Sequence, residues 1–297
     1  MRLLTYRATE QDVGKRVESI LLGPLQISRG LLSRLKRREQ GITINGQKAY
    51  STYVLRAGDV VTADVGDGEP PRHLAPVPMD LAIVYEDEDL LVLDKPDHVP
   101  VHPTKDPGEW NLEQGLLAYL PDGEYPHFVS RLDKGTTGLM LVAKSGYAHE
   151  LMKRRQHTAD FYREYLAVAE GIVTPPSGII DAPIGLEEGS SYRHCVRSDG
   201  AKSLTVYETL SVANDRTLLR LLPQTGRTHQ LRVHMAHLGY PLAGDWLYGM
   251  RSDAIDRPAL HSHRLVFQHT STTLSGEGFI ILTGTDGFSL NTPVIVF

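Results

Sequence analysis

The sequence predicts an α+β protein: a small helix-hairpin head followed by a body built on a mixed, mainly antiparallel β-sheet. Three observations carry this. In the body, β-like apolar runs outnumber helical ones and do not alternate with them as βαβ units would. Between head (1–65) and body (79–297), residues 66–78 hold four prolines and two glycines, which cannot sustain a helix or a central strand and read as a linker. No Gly-x-Gly-x-x-Gly follows a strand, so Rossmann and phosphate-loop folds are unsupported.

In the head, Gly14–Leu22 has helical spacing at Val17, Ile20 and Leu21. Ser28 can cap a second helix running to about Glu39, with Leu31, Leu32 and Leu35 as its apolar face. Ile42-Thr43-Ile44 meets Asn45-Gly46, a hairpin turn signal, and Gly58-Asp59 turns the chain into Val60–Val65. In the body, strands are expected at Leu81–Tyr85, Leu90–Leu93, Gly138–Ala143, Tyr165–Val168, Leu204–Tyr207, Leu218–Leu222 and Phe279–Leu282. Helices are expected at Leu112–Leu120, Ala148–Gln156 and Gln230–Leu238.

Of 297 residues, 41% are hydrophobic and 23% charged, a globular balance that excludes disordered and collagen-like chains. No apolar run approaches the roughly 20 residues of a membrane span, and no secretory signal is visible. The single cysteine, Cys195, excludes an intramolecular disulfide and a cysteine-based metal site, and points to a reducing cytoplasm. The net charge of −5 is uneven: residues 1–65 carry 11 Lys/Arg against 6 Asp/Glu, the remainder 20 against 30. A basic head on an acidic body suggests that the head meets a polyanion. Arg29, Arg34, Lys36, Arg37 and Arg38 crowd the second helix and are assigned to RNA phosphates. The alternative is a solvated face complementing the helix C-terminus.

Two stretches carry candidate chemistry. In Phe128–Lys144, Asp133 lies between Arg131 and Lys134 in a polar turn that runs into a buried strand. Its local context alone fits either a reactive carboxylate or a turn residue bonding its own backbone. The second stretch, Leu221–Asp245, is dense in hydrogen-bond donors. His229, His234 and His237 invite a metal reading there, but His229 falls five residues before His234, off the helix face that His234 and His237 share. No His-Glu-x-x-His is present, and no metal site is expected.

Together, Arg131-Leu132-Asp133 with Thr136-Thr137-Gly138, and Thr225-Gly226-Arg227-Thr228-His229-Gln230-Leu231-Arg232, resemble the RluA-type ribosomal pseudouridine synthases. Lys95-Pro96, Val101-His102-Pro103, Arg163-Glu164-Tyr165-Leu166-Ala167, Pro241-Leu242-Ala243-Gly244-Asp245, Tyr248-Gly249 and Leu260-His261 match further segments in order, so the resemblance spans about residues 10–268. Ser130, Arg163 and Thr137 replace the family's common His, Lys and Ser, and the tail Gly276–Phe297 does not match. The head resembles the alpha-L RNA-binding module through Ser28-Arg29, Gly41–Gly46 and Gly58-Asp59, with Arg16-Val17-Glu18 in place of the module's Arg-x-Asp.

The resemblance implies a body of pseudouridine synthase fold that isomerises uridine in structured RNA, with large-subunit ribosomal RNA as the target. Transfer RNA, or a non-catalytic ribosome-associated role, are the alternatives. The glycosidic bond breaks, the base turns and C5 rejoins the ribose, so no cofactor is needed. The resemblance makes Asp133 the essential carboxylate, attacking covalently or removing a ribose proton. Arg227 would keep it ionised. Tyr165 would lie against the uracil, its hydroxyl able to reach for the C5 proton. Arg131 would hold the flipped nucleotide, Leu260 would wall the pocket, and Thr228 and His229 would touch substrate. Extruding the base costs about a few kcal/mol, which phosphate contacts by the head help offset. A cytoplasmic monomer without membrane contact completes the expectation. The remaining reading is an aspartate hydrolase, which would need a second acid such as Asp94 or Asp245 folded near Asp133.

Overall fold

The computed structural model describes residues 2–67, 74–106, 108–122, 124–156, 158, 161–269, 279–284 and 295–296. The N-terminal part is an antiparallel sheet of β1 (Leu3–Arg7), β2 (Ile42–Ile44), β3 (Gln47–Lys48) and β4 (Val60–Asp64), in the order 1-4-2-3. Helices α1 (Val17–Leu22) and α2 (Arg29–Leu35) pack Val17, Ile20, Leu21, Leu31, Leu32 and Leu35 into one core with Ile42, Ile44, Val61 and Ala63. Ser28 caps α2, its Oγ accepting from the Leu31 N–H at 3.2 Å. Asn45 and Gly46 both take positive φ, 51° and 80°, as a tight two-residue hairpin turn requires. α2 stops short of the expected Glu39: the N–H groups of Arg37 and Arg38 turn back to the Arg34 and Leu35 carbonyls. The chain then passes so close behind the helix that a Cβ at Gly41 would sit 2.1 Å from the Leu35 oxygen.

The body's main sheet contains β5 (Ile83–Glu86), β6 (Leu90–Lys95), β7 (His127–Phe128), β8 (Thr137–Ala143), β9 (Phe161–Glu170), β10 (Ser177–Asp181), β13 (Leu204–Ala213), β14 (Arg216–Pro223), β15 (Leu260–Gln268), β16 (Phe279–Thr283) and β17 (Ile295–Val296). A separate hairpin pairs β11 (Ile184–Leu186) with β12 (His194–Val196). The main order is 10-13-14-9-15-8-6-5, and among the described residues only β15 and β8 run parallel. Both faces are covered, which explains the continuous apolar runs. Leu91, Leu93, Met140 and Val142 share a core with Leu112 and Leu116 of α3 (Leu112–Tyr119) and Leu231 and Met235 of α5 (Gln230–His237). Their alternates Leu90, Val92, Leu139 and Leu141 share another with Ala148 and Met152 of α4 (Gly146–Arg155).

The head is docked against the body. Tyr147 and Leu151 of α4 complete the head's core, and the Tyr147 hydroxyl donates to the Leu25 carbonyl at 2.9 Å. Arg2 pairs with Asp89 at 2.8 Å. Asp67 accepts from the Gly146 N–H at 2.9 Å and meets His127 Nε2 at 2.8 Å. Of the stretch 66–78, residues 68–73 lie outside the described residues.

Candidate active site

Asp133 stands in the loop between β7 and β8, at the centre of the main sheet. The loop is short of freedom. The Thr136 N–H donates to the Asp133 carbonyl at 3.0 Å. Lys95, wholly buried, donates from Nζ to the carbonyls of Lys134 (3.0 Å) and Pro96 (2.7 Å). Burial pulls the Lys95 ammonium down to about 8, and the Asp133 charge opposes that shift. Beyond the loop, β8 presses on β15: at Gly138 (φ +105°) a Cβ would lie 2.3 Å from the Ser262 carbonyl oxygen. Only glycine fits that approach.

The guanidinium that meets Asp133 belongs to Arg232, not Arg227. Arg232 Nη1 lies 3.3 Å from Asp133 Oδ2, while its Nε and Nη2 donate to Asp245 at 2.7 and 2.8 Å. Asp245 is wholly buried, and its Oδ1 also accepts from the Leu247 N–H at 3.1 Å. The reason for the correction is a turn. His229 adopts a left-handed conformation (φ 55°) just before α5, so residues on either side of it face different ways. Arg227 precedes the turn and is exposed, its Nε donating to the Lys202 carbonyl at 3.1 Å. Arg232 follows on the first helical turn and is buried. Gln230 fixes this corner: its Oε1 accepts from Thr225 Oγ1 (2.7 Å) and the Arg227 N–H (3.0 Å), and its Nε2 donates to the Leu204 carbonyl (3.0 Å).

His229 Nε2 stands 3.9 Å from Asp133 Oδ2, and burial lowers the imidazole's pKa against the pull of Asp133. Tyr165 lies on β9, opposite Ser262 of β15, and burial raises its hydroxyl's pKa, with a smaller push from Asp133. Leu260 begins β15 and shares the apolar layer of Tyr165. Arg131 is exposed with no protein partner among the described residues, and Thr228 is exposed on the turn before α5. The structure thus brings Asp133, His229 and Arg232 together, with Tyr165 and Leu260 in the layer beneath, and leaves Arg227 and Thr228 outside that cluster. The sequence assigns no role to Arg232 or Lys95, and to Asp245 only that of a possible second acid. The available signal was an arginine between Leu231 and Val233 in an apolar helical stretch, because a buried guanidinium needs a carboxylate. Asp245 does fold near Asp133, but Arg232 occupies both its oxygens, so it is no free second acid.

In the head, Arg29, Arg34, Lys36 and Arg37 are exposed. Arg38 differs from its expected role. It donates to the carbonyls of Asp64 (3.0 Å), Gly66 (2.7 Å) and Asp67 (3.2 Å), which ties down the chain leaving the head. Among the described residues, Asp97, His98 and Asp256 are the group with metal-ligand spacing; all three are exposed, and Arg257 Nε lies 3.7 Å from Asp97. His234 is buried, with Nδ1 on Thr205 Oγ1 and Nε2 on the Ala182 carbonyl, both at 2.9 Å.

Residues 89–237 match the family model described as RNA pseudouridylate synthase. The chain is 38% identical over 253 residues to an uncharacterized RNA pseudouridine synthase of Bacillus subtilis, YjbO, covering 84% of this chain and 89% of that one. It is 36% identical over 288 residues to ribosomal large subunit pseudouridine synthase D of Yersinia pestis, covering 90% and 87%. The fold is similar to that of human RNA pseudouridylate synthase domain containing 1, with a TM-score of 0.58 and 27% identity over 73% of this chain and 90% of that one.

Proposed function

The chain belongs to the RNA pseudouridylate synthase family, and from that premise we propose that it isomerises uridines of large-subunit ribosomal RNA, with Asp133 as the essential carboxylate. The observation that carries the assignment of Asp133 is its pairing, on a clamped loop at the centre of the sheet, with the buried Arg232. Either route open to the carboxylate, attack on the ribose or removal of a ribose proton, requires it ionised in a water-poor pocket. The fixed Arg232 guanidinium, 3.3 Å from Oδ2, orients the carboxylate. The Tyr165 hydroxyl, held protonated by burial, suits a ring that lies on uracil and handles the C5 proton. Leu260 closes the apolar side, and exposed Arg131 and Thr228 suit contacts with the extruded nucleotide. Arg29, Arg34, Lys36 and Arg37 supply phosphate contacts, and Arg227 is a candidate for another. The reading includes a monomer at work in the cytoplasm.

The test is pseudouridine mapping on large-subunit ribosomal RNA and transfer RNA, each incubated with purified protein or with Asp133→Asn. Modification of large-subunit RNA by wild type alone is expected. Asp133→Asn retaining more than about a tenth of the turnover, a barrier change of only ~1.4 kcal/mol, would remove Asp133 from the central role. Modification of transfer RNA alone would move the substrate.

A further inference from the structure

Tyr248 lies outside the cluster just described, yet two of its contacts bear on the chemistry. Its hydroxyl accepts from the backbone N–H of His194, on β12, at 3.0 Å. The same hydroxyl lies 2.8 Å from His229 Nδ1. The Arg232 guanidinium carbon sits 5.1 Å from the centre of the Tyr248 ring, and the Asp245 carboxylate accepts from the Tyr248 N–H at 3.3 Å. One ring therefore supports the arginine, and one hydroxyl addresses the histidine.

The direction of one of these hydrogen bonds is fixed by its chemistry. The His194 amide can only donate, so the Tyr248 oxygen accepts there. Its own proton is left to donate, and among the described residues the remaining partner of that hydroxyl is His229 Nδ1. An imidazole that accepts at Nδ1 and is neutral carries its proton on Nε2. Burial favours the neutral ring. Nε2 is the nitrogen that faces Asp133, 3.9 Å from Oδ2. The groups around His229 are Asp133, Arg232, Tyr248, Asp245 and, ring edge to face at 5.8 Å, His194.

We propose that Tyr248 is a positioning residue that fixes His229 as the neutral tautomer protonated at Nε2. The imidazole N–H and the Arg232 guanidinium then both face Asp133 Oδ2, and Oδ1 is the oxygen offered to the nucleotide. Both donors approach Oδ2, and among the described residues no side-chain donor meets Oδ1. The opposite tautomer would aim a lone pair at a carboxylate. The inference rests on the reading of Asp133 as the reacting group.

The test has two arms on the full chain. In protein with 15N-labelled histidine, the His229 signals, assigned by their loss in His229→Gln, should show a protonated Nε2 and an unprotonated Nδ1. In Tyr248→Phe, which keeps the ring under Arg232, the proton should shift toward Nδ1. In the kinetic arm, the single-turnover rate of Tyr248→Phe at saturating RNA should fall about tenfold, the worth of one hydrogen bond, with RNA affinity unchanged. Adding Tyr248→Phe to His229→Gln should cost nothing further, since the hydroxyl acts through the imidazole. A protonated Nδ1 in the wild type overturns the proposal even if Tyr248→Phe does not fold. So does a Tyr248→Phe rate equal to wild type. Absence of pseudouridine from every RNA would instead defeat the functional reading, and the nitrogen spectra would still decide the tautomer.

Discussion

Arg232→Lys separates the two arginines that could serve Asp133. Arg232 holds two carboxylates at once, Asp245 through Nε and Nη2 and Asp133 through Nη1. A lysine keeps the charge but offers one point instead of a fork. Asp245 is wholly buried and Asp133 is 28% exposed by side chain, so the ammonium should stay with Asp245. Asp133 then loses one charge-assisted hydrogen bond, worth about 1.5–3 kcal/mol. If that bond also holds in the transition state, the single-turnover rate should fall by about one to two orders of magnitude. Alanine is the poorer choice, because an unpaired buried Asp245 would cost about 3–5 kcal/mol of folding stability and blur the result. The assay is single-turnover isomerisation at saturating RNA, beside urea unfolding of each variant. Arg227→Lys, at an exposed position, should shift stability by less than about 0.5 kcal/mol and the rate far less than Arg232→Lys does. A wild-type rate in Arg232→Lys together with a collapsed rate in Arg227→Lys would refute the reasoning and restore Arg227 as the partner.

Replacing exposed Arg29, Arg34 and Arg37 together by Gln should lower the log–log salt slope of RNA binding by about 2–3, at roughly 0.7–0.9 for each phosphate no longer neutralised. An unchanged slope in a filter-binding salt series would show that these side chains do not touch phosphate. Leu151→Ala should cost about 2–5 kcal/mol in denaturant unfolding, because this α4 residue completes the head's core; a cost below about 0.5 kcal/mol would mean that the head is not docked there. His234 gives a pH dependence. Burial lowers its folded pKa below the ordinary 6.5, so from there downward the unfolded chain takes up a proton that the folded one refuses. Its contribution is present above that value and declines as pH falls toward the folded pKa. Melting temperatures from pH 8 to 5 should therefore fall more steeply for wild type than for His234→Gln, and parallel curves would count against it.

Much of the fold was legible because its strands are buried on both faces. Leu90–Leu93 and Gly138–Ala143 are continuous apolar runs, visible without any partner. β15 was not legible as a strand. Its first half, Leu260-His261-Ser262-His263-Arg264, is polar, and a bulge between Ser262 and Arg264 breaks the two-residue period. Leucine spacing over-extends α2, since it says nothing of the close crossing at Gly41 just beyond the helix. At the site, the Asp133 loop and the Tyr165 strand could be picked out by motif. The choice between Arg227 and Arg232 could not, since it depends on the left-handed turn at His229, and no single residue type dictates that turn. Arg38 was unreadable for a like reason: a cation bonded to three carbonyls looks in sequence like a cation free for phosphate.

The place of β15 in the sheet has a consequence for the newly made chain. β15 lies between β9 and β8, so it separates the strand that carries Tyr165 from the strand that follows Asp133. Synthesis delivers residues N-terminal first, at about 5–20 residues per second. When residue 223 has emerged, β5 to β8 can form one ladder and β9, β10, β13 and β14 another, with no strand yet pairing them. Leu260–Gln268 supplies the joining strand, and its parallel pairing with β8 spans more than a hundred residues of chain, a contact that is slow to close. Until then the aspartate and the tyrosine belong to separate pieces. Leu260–Gln268, late in the chain, is therefore the strand that brings the two side chains into one sheet.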